Sequence, residues 1–116
     1  MPEVSIITPC YNSSKFLKET IQSVLSQTFT DWEWLITDDS SSDNSVEIIN
    51  KINDPRIILT IAEKNGGAGK ARNLSLEKAS GRFITFLDAD DFWEPTFLEE
   101  MIKKKKKENA EISYSN

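Results

Sequence analysis

Three carboxylates, Asp88, Asp90 and Asp91, follow directly on the apolar run Phe83-Ile84-Thr85-Phe86-Leu87. A buried strand that ends this way delivers negative charge to the carboxyl edge of a sheet, where α/β proteins bind ligands. Like charges so close repel unless a cation or hydrogen-bond donors offset them. The cluster therefore suits a divalent metal, and oxygen-only ligands favour magnesium, manganese or calcium over zinc. The plain structural alternative is a solvated acidic loop whose first Asp caps the next helix. The chain has no His, which removes the commonest general base and transition-metal ligand, so any acid–base chemistry falls to carboxylates, Lys, Tyr or Cys.

Other groups with chemical potential are spread along the chain. Tyr11 offers a ring that can stack on a planar partner, or can be half-buried as a core-edge tyrosine. Asp39 can accept a hydrogen bond from a ring imide N–H, which would favour uracil or thymine over cytosine, or it can close the polar loop that follows; Asp38 fits the second role well. Gly66, Gly67 and Gly69 permit close backbone approach, and the helix they open is expected to present free N–H groups to an anion. Lys70 and Arg72 put positive charge in the first turns of that helix, where the dipole disfavours it. A diphosphate is one reason for them, and pairing with nearby acids is another.

The elements that must position these groups alternate in period. Val4 to Thr8 reads as a buried strand. Ser13 or Ser14 can cap a helix with Leu17, Ile21, Val24, Leu25 and Thr28 at helical spacing. Trp34 to Thr37 reads as a second strand closed by Asp38-Asp39. A Ser-rich loop then enters a helix with Val46, Ile49 and Ile52 inward, and Asn44 with Glu47 has capping-box spacing. Arg56 to Ala62 reads as a third strand. The glycine-opened helix follows, with Ala71, Leu74 and Ala79 on one face and Gly81 placed to terminate it. Phe83 to Leu87 is the fourth strand. Pro95 fits the first turn of a fourth helix with Phe97, Leu98, Met101 and Ile102 inward, and Glu111 to Ser115 reads as a short fifth strand.

Strands alternating with helices imply crossovers, hence a mostly parallel, Rossmann-like sheet with helices on both faces, a three-layer α/β/α fold. All strand ends then share one edge. That edge gathers Thr8 and Tyr11, then Asp38 and Asp39, the loop around Asn65, and Asp88 to Asp91. Together these groups suit a metal-bridged nucleoside diphosphate.

Bulk properties narrow the classes. At 116 residues the chain is a single domain spanning 1–116. A net charge of −5 argues against nucleic acid as partner. Cys10 is the only cysteine, so no internal disulfide forms and a reducing, cytoplasmic setting is expected. The start lacks the pattern of a signal peptide, and no apolar run approaches the ~20 residues that cross a bilayer. The run Lys103 to Lys107 reads as a solvated helix end with cations favoured by the dipole, or as a peripheral anchor for lipid phosphates.

The motifs resemble those of family-2 glycosyltransferases of the GT-A fold. The matching residues are Val4 to Asn12, Ser26-Gln27-Thr28-Phe29, Asp38-Asp39-Ser40 with Ser42-Asp43, Asn65-Gly66-Gly67 followed by Ala71-Arg72-Asn73, and Phe86 to Asp91. The resemblance implies that Tyr11 stacks on the donor base with Thr8 beside it, and that Asp39, with Asp38, reads the base edge. Arg72 and Lys70 would lie near the diphosphate. Asp88 and Asp90 would form the DXD motif, Asp88 towards the ribose and Asp90 on Mn²⁺ or Mg²⁺. The implied reaction is inverting transfer of a sugar from a nucleoside-diphospho-sugar, uridine- or thymidine-linked, to a hydroxyl of a sugar or lipid-linked glycan. Such work belongs in polysaccharide or cell-surface glycan synthesis, at the inner face of a membrane.

In that family the catalytic base and the acceptor elements lie beyond the donor-binding half. No acid here matches the base, which is therefore expected beyond Asn116, the last residue of the sequence. The fold is expected to be C-terminally incomplete and the chain to be the donor-binding half. A nucleotide-binding module without transferase activity is the alternative. Surfaces left uncovered could self-associate, an expectation that light scattering checks. A phospho-accepting receiver module would want acids after the first and third strands, and a haloacid-dehalogenase-type phosphotransferase would want paired Asp after the first. This chain has Thr-Pro-Cys-Tyr-Asn there.

Overall fold

The β-branched run at the start forms β1 (Val4–Cys10), and every further strand pairs parallel around it. The computed structural model describes residues 2–108. In chain order the other elements are α1 (Ser14–Leu25), β2 (Trp32–Asp38), α2 (Ser45–Asn50), β3 (Ile57–Ile61), α3 (Ala68–Lys78), β4 (Phe83–Phe86) and α4 (Phe97–Lys107). The sheet has four strands among the described residues, in the order β3-β2-β1-β4. β1 aligns Val4 with Trp32 on one side and Val4 with Phe83 on the other.

The pleat sends alternate residues to two different layers. Val4, Ile6, Trp32, Trp34, Ile36 and Phe83 pack with Leu17, Ile21 and Val24 of α1, Ile49 of α2 and Leu98, Met101 and Ile102 of α4. On the opposite face Thr37 Oγ1 and Ser75 Oγ of α3 share a 2.6 Å hydrogen bond, and Ser75 also donates to the Leu35 carbonyl at 3.2 Å. Helices therefore cover both faces, and the expected three-layer α/β/α architecture is what the chain adopts.

Several local expectations shift. β2 begins at Trp32, two residues early, because β1 reaches down to pair with it. β3 is shorter than Arg56 to Ala62, and β4 ends at Phe86, although Leu87 N still donates to Ile7 O at 3.0 Å. Leu25 is exposed rather than inward, and Thr20 takes a place on the buried face of α1 instead. Val46 and Ile52 are half-buried, leaving Ile49 as the apolar anchor of α2. The expected strand at Glu111 to Ser115 lies outside the described residues. So does Asn116, the position beyond which the resemblance puts the catalytic base. In the lysine run, Lys103 pairs with Glu99, Lys105 with Glu108 and Lys106 with Glu3. This is the behaviour of a solvated helix end.

The caps differ more. Ser13 and Asn44 occupy the N-cap positions of α1 and α2, yet neither side chain makes a capping bond. Asp43 does that work for both helices: it accepts Ser14 N at 3.1 Å, Ser45 N at 2.9 Å and Ser45 Oγ at 2.6 Å. Desolvation pulls the Asp43 carboxyl upward, but the bonds from Ser45 and Ser14 outweigh it and lower the pKa from 3.8 to about 2. A depressed carboxylate stabilises the fold above its unfolded pKa and loses that contribution as pH falls through its folded one. Asp43→Asn is therefore expected to cost about 1 kcal/mol near neutrality, and the difference from wild type should vanish between pH 3.8 and about 2. Urea unfolding across that pH range checks it; a gap that persisted below pH 2 would count against the capping role.

Gly81 does not terminate α3. The helix ends at Lys78 with Ala79 extended, and among the described glycines only Gly67 has positive φ. Gly81 is instead required by close approach: a Cβ there would lie 2.6 Å from both the backbone N and the Oγ of Ser5. Gly81 N donates to Ser5 Oγ at 2.7 Å, so the contact brings β4 alongside β1. Gly81→Ala should destabilise by roughly 1–3 kcal/mol, the usual overpacking cost, measurable as a lowered denaturant midpoint at constant m-value.

Candidate functional site

After β1 the chain leaves towards β2, whereas β4 pairs on the other side of β1. Loops leaving these two neighbouring strands therefore diverge, and a crevice opens at their carboxyl ends. A cavity of about 440 Å³ fills it, lined by Tyr11, Ser13, Asp39, Asn65, Gly67, Arg72, Asp88 and Asp90 among others. Most of the residues expected at one sheet edge thus meet in one place.

Tyr11 is 51% exposed and its ring is open to a planar partner. It is aimed by Asn12, which takes the left-handed conformation (φ 46°) at the sharp turn out of β1. Asn tolerates that region better than most residues. Asn12 Oδ1 accepts Ser42 N at 2.8 Å and Asn12 N donates to Ser41 Oγ at 2.9 Å. The first two loops are thereby tied together.

The two neighbouring aspartates part company. Asp38, 1% exposed, turns inward, where its oxygens accept Ser41 Oγ at 2.6 Å and Ser41 N at 2.9 Å. It closes its own loop and does not line the cavity. Asp39 lines it, yet its oxygens accept Gly66 N and Gly67 N, each at 2.8 Å. The N–H groups of Gly66 and Gly67, which precede α3, are thus taken by a carboxylate of the chain itself, while Ala68 at the start of the helix lines the cavity. Asn65 Nδ2 adds a 3.2 Å bond to Asp39 O.

Thr8 is fully buried and its Oγ1 accepts the Trp34 indole N–H at 2.8 Å. It supports the floor behind the crevice without lining it. Lys70 lies outside the cavity too; its alkyl chain covers Gly66, where a Cβ would come 2.8 Å from Lys70 Cδ, and it borders a neighbouring cavity with Glu63 and Glu77. Arg72 does enter, with Nη2 3.6 Å from Asp88 Oδ1. Cys10 borders the cavity from below; burial pushes its thiol up to about 12, the Asp38 carboxylate adds to this, and bonds with Ser45 and Ser13 only partly offset it. It stays protonated and unreactive across the physiological range.

The acidic loop is held by two residues whose part the sequence reading did not foresee. Thr20 Oγ1 lies within hydrogen-bond distance of the carbonyls of Ala89 and Asp91. Gln27 Nε2 donates to Glu94 O at 2.7 Å, and its Oε1 accepts Leu98 N at 3.0 Å, capping α4. A polar residue three positions after Leu17, on the buried stripe of α1, was the signal for Thr20.

Asp88 and Asp90 offer hard oxygen donors on one wall, the chemistry a divalent cation needs. Among the described residues no group of three His, Cys, Asp or Glu side chains is placed to hold a metal by itself. By their chemistry the two carboxylates could serve such an ion only as partial ligands, and the rest would have to come from a phosphate or water.

The profile of glycosyl transferase family 2 matches residues 5–116. The chain belongs to glycosyl transferase family 2. Among relatives, the Escherichia coli UDP-Glc:alpha-D-GlcNAc-diphosphoundecaprenol beta-1,3-glucosyltransferase WfgD is 46% identical over 113 residues, covering 97% of this chain and 45% of that protein. The E. coli enzyme WfaP, of the same description, is 45% identical over 116 residues, covering 100% of this chain and 46% of that protein. The chain thus spans about half the length of the curated relatives it matches. S. aureus TarS, in its crystal structure with UDP, superimposes with a TM-score of 0.88 at 32% identity, covering 92% of this chain and 33% of that one. The fold is thus the GT-A type that the motifs implied.

Among the described residues no helix is long and apolar enough to cross a membrane.

Proposed function

We propose that this chain is the donor-binding domain of a glycosyltransferase that moves a sugar from a nucleoside-diphospho-sugar to an acceptor hydroxyl in glycan synthesis. The observation that carries the reading is the joint placement of Tyr11, Asp39, Arg72, Asp88 and Asp90 around one cavity at the switch point of a family-2 sheet. The TarS structures with UDP and with UDP-GlcNAc support a nucleotide sugar as ligand. Tyr11 stacks on the base. Asp39, with both oxygens already steadied by glycine N–H groups, keeps spare lone pairs for one ring N–H, which favours uracil or thymine. Asp90 holds the cation, Mn²⁺ or Mg²⁺, together with Asp88, which also faces the ribose. When bound, such a cation supplies Lewis acidity that stabilises the departing diphosphate.

The three acids lining the cavity are thereby committed, and none is left as base. We assign removal of the acceptor proton, and with it inversion at the sugar carbon, to the part of such enzymes that follows the position of Asn116. A lipid-linked acceptor, the class named for WfgD, would bring the enzyme to the cytoplasmic surface of a membrane. Calorimetric titration of UDP and of TDP into the protein, with and without Mn²⁺, tests the reading. Metal-dependent binding of either supports it; folded protein that binds neither with Mn²⁺ present removes it.

A further inference from the structure

Arg72 is the only cationic side chain among the residues lining the cavity, where it meets Asp39, Asp88 and Asp90. Its Nη2 lies 3.6 Å from Asp88 Oδ1, and the two side chains are 41% and 59% exposed. Asp39 is otherwise engaged, since each of its oxygens accepts a glycine N–H. That engagement occupies the two glycine N–H groups just before α3. The Arg72 guanidinium is the charged anion donor on that wall, and it is already paired with a carboxylate that the cation site also needs.

We propose that Arg72 is an exchangeable counter-ion. It pairs with Asp88 while the site holds no donor, and transfers its guanidinium to the diphosphate when a divalent cation takes over Asp88 and Asp90. The inference rests on the donor-binding reading above. Two features make the exchange feasible. An exposed ion pair at this separation is weak and easily given up, while a guanidinium on a phosphate forms two parallel charge-assisted bonds. The pair also offsets one of the three negative charges of Asp39, Asp88 and Asp90 before loading.

The exchange predicts opposite signs for two affinities of one variant. In Arg72→Ala, Mn²⁺ alone should bind about two- to fivefold more tightly, because its competitor for Asp88 is gone. UDP at saturating Mn²⁺ should bind about 10- to 100-fold more weakly, because the diphosphate loses its fork. Arg72→Lys, which keeps the charge without the planar fork, should return Mn²⁺ affinity to near wild type and restore only part of the UDP affinity.

The experiment measures free Mn²⁺ by electron paramagnetic resonance and UDP binding by calorimetry, on wild type and both variants. Thermal unfolding confirms that each is folded, and TDP replaces UDP if it binds wild type more tightly. A residue that only supports the loop would weaken both affinities together, and that outcome, or an unchanged Mn²⁺ affinity in Arg72→Ala, overturns the exchange while leaving the donor reading intact. Wild type that binds neither nucleotide with Mn²⁺ overturns the donor reading and the exchange with it.

Discussion

Asp90→Ala is expected to abolish metal-dependent nucleotide binding while leaving the fold untouched. Asp90 lines the cavity from an exposed position in the loop after β4. No hydrogen bond from its side chain supports another element among the described residues, so the stability change should stay within about 0.5 kcal/mol. The loss of binding is large because a cation bridging protein and diphosphate is worth several kcal/mol, which is ~100-fold or more in UDP affinity at saturating Mn²⁺. Without the metal, wild type and variant should bind UDP equally poorly. Equal UDP affinity of the two proteins in the presence of Mn²⁺ would remove Asp90 from the site.

Asp39→Ala is expected to damage both stability and binding. Its carboxylate accepts the N–H groups of Gly66 and Gly67 at 2.8 Å each and is 3% exposed. Charge-assisted bonds of this kind contribute about 1.5–3 kcal/mol each. The glycine loop is itself exposed, so water recovers part of that loss and a net cost of about 2 kcal/mol is expected. The start of α3 should loosen with it, carrying Arg72 away from the cavity and reducing UDP affinity by roughly tenfold or more. Asp39→Asn separates the two roles. Its amide oxygen still accepts one glycine N–H, so much of the stability returns, whereas its NH₂ group meets the ring N–H of uracil donor to donor. A variant with wild-type stability and wild-type UDP affinity at either substitution would show that the glycine loop is held by something else.

These two aspartates were legible to different degrees. Asp90 stands out because three carboxylates at the end of an apolar strand are costly without a partner. Asp39 does not, because Asp38 beside it has the same side chain and the same place at a strand end. Which of them faces the crevice depends on the pleat of β2 and on the loop that follows, where Ser40 takes φ 62°. The same holds for the caps. Ser13 or Ser14 read as the cap of α1, but the bond that forms runs from Ser14 N to Asp43, 29 positions away. Gly81 read as a helix stop for its place in the chain, and it is needed for contact with Ser5, 76 positions away. Gln27 carried a family-like motif whose use, capping α4 at Leu98, could be seen only once the turn after α1 lay against the start of α4.

The sequence by itself determined the alternation of strands and helices, the parallel sheet that follows from it, and the edge where the chemistry gathers. These rest on period, on turn residues and on the right-handed crossover, all of which act over a few residues or a single βαβ unit. Only the tertiary structure decided that Thr8, Asp38 and Lys70 stand back from the cavity, that Asp39 holds the Gly66-Gly67 backbone before α3, and that Arg72 meets Asp88. Each of these depends on a partner brought near by folding, and the strength of a hydrogen bond or ion pair depends on distance and burial in space rather than on spacing along the chain.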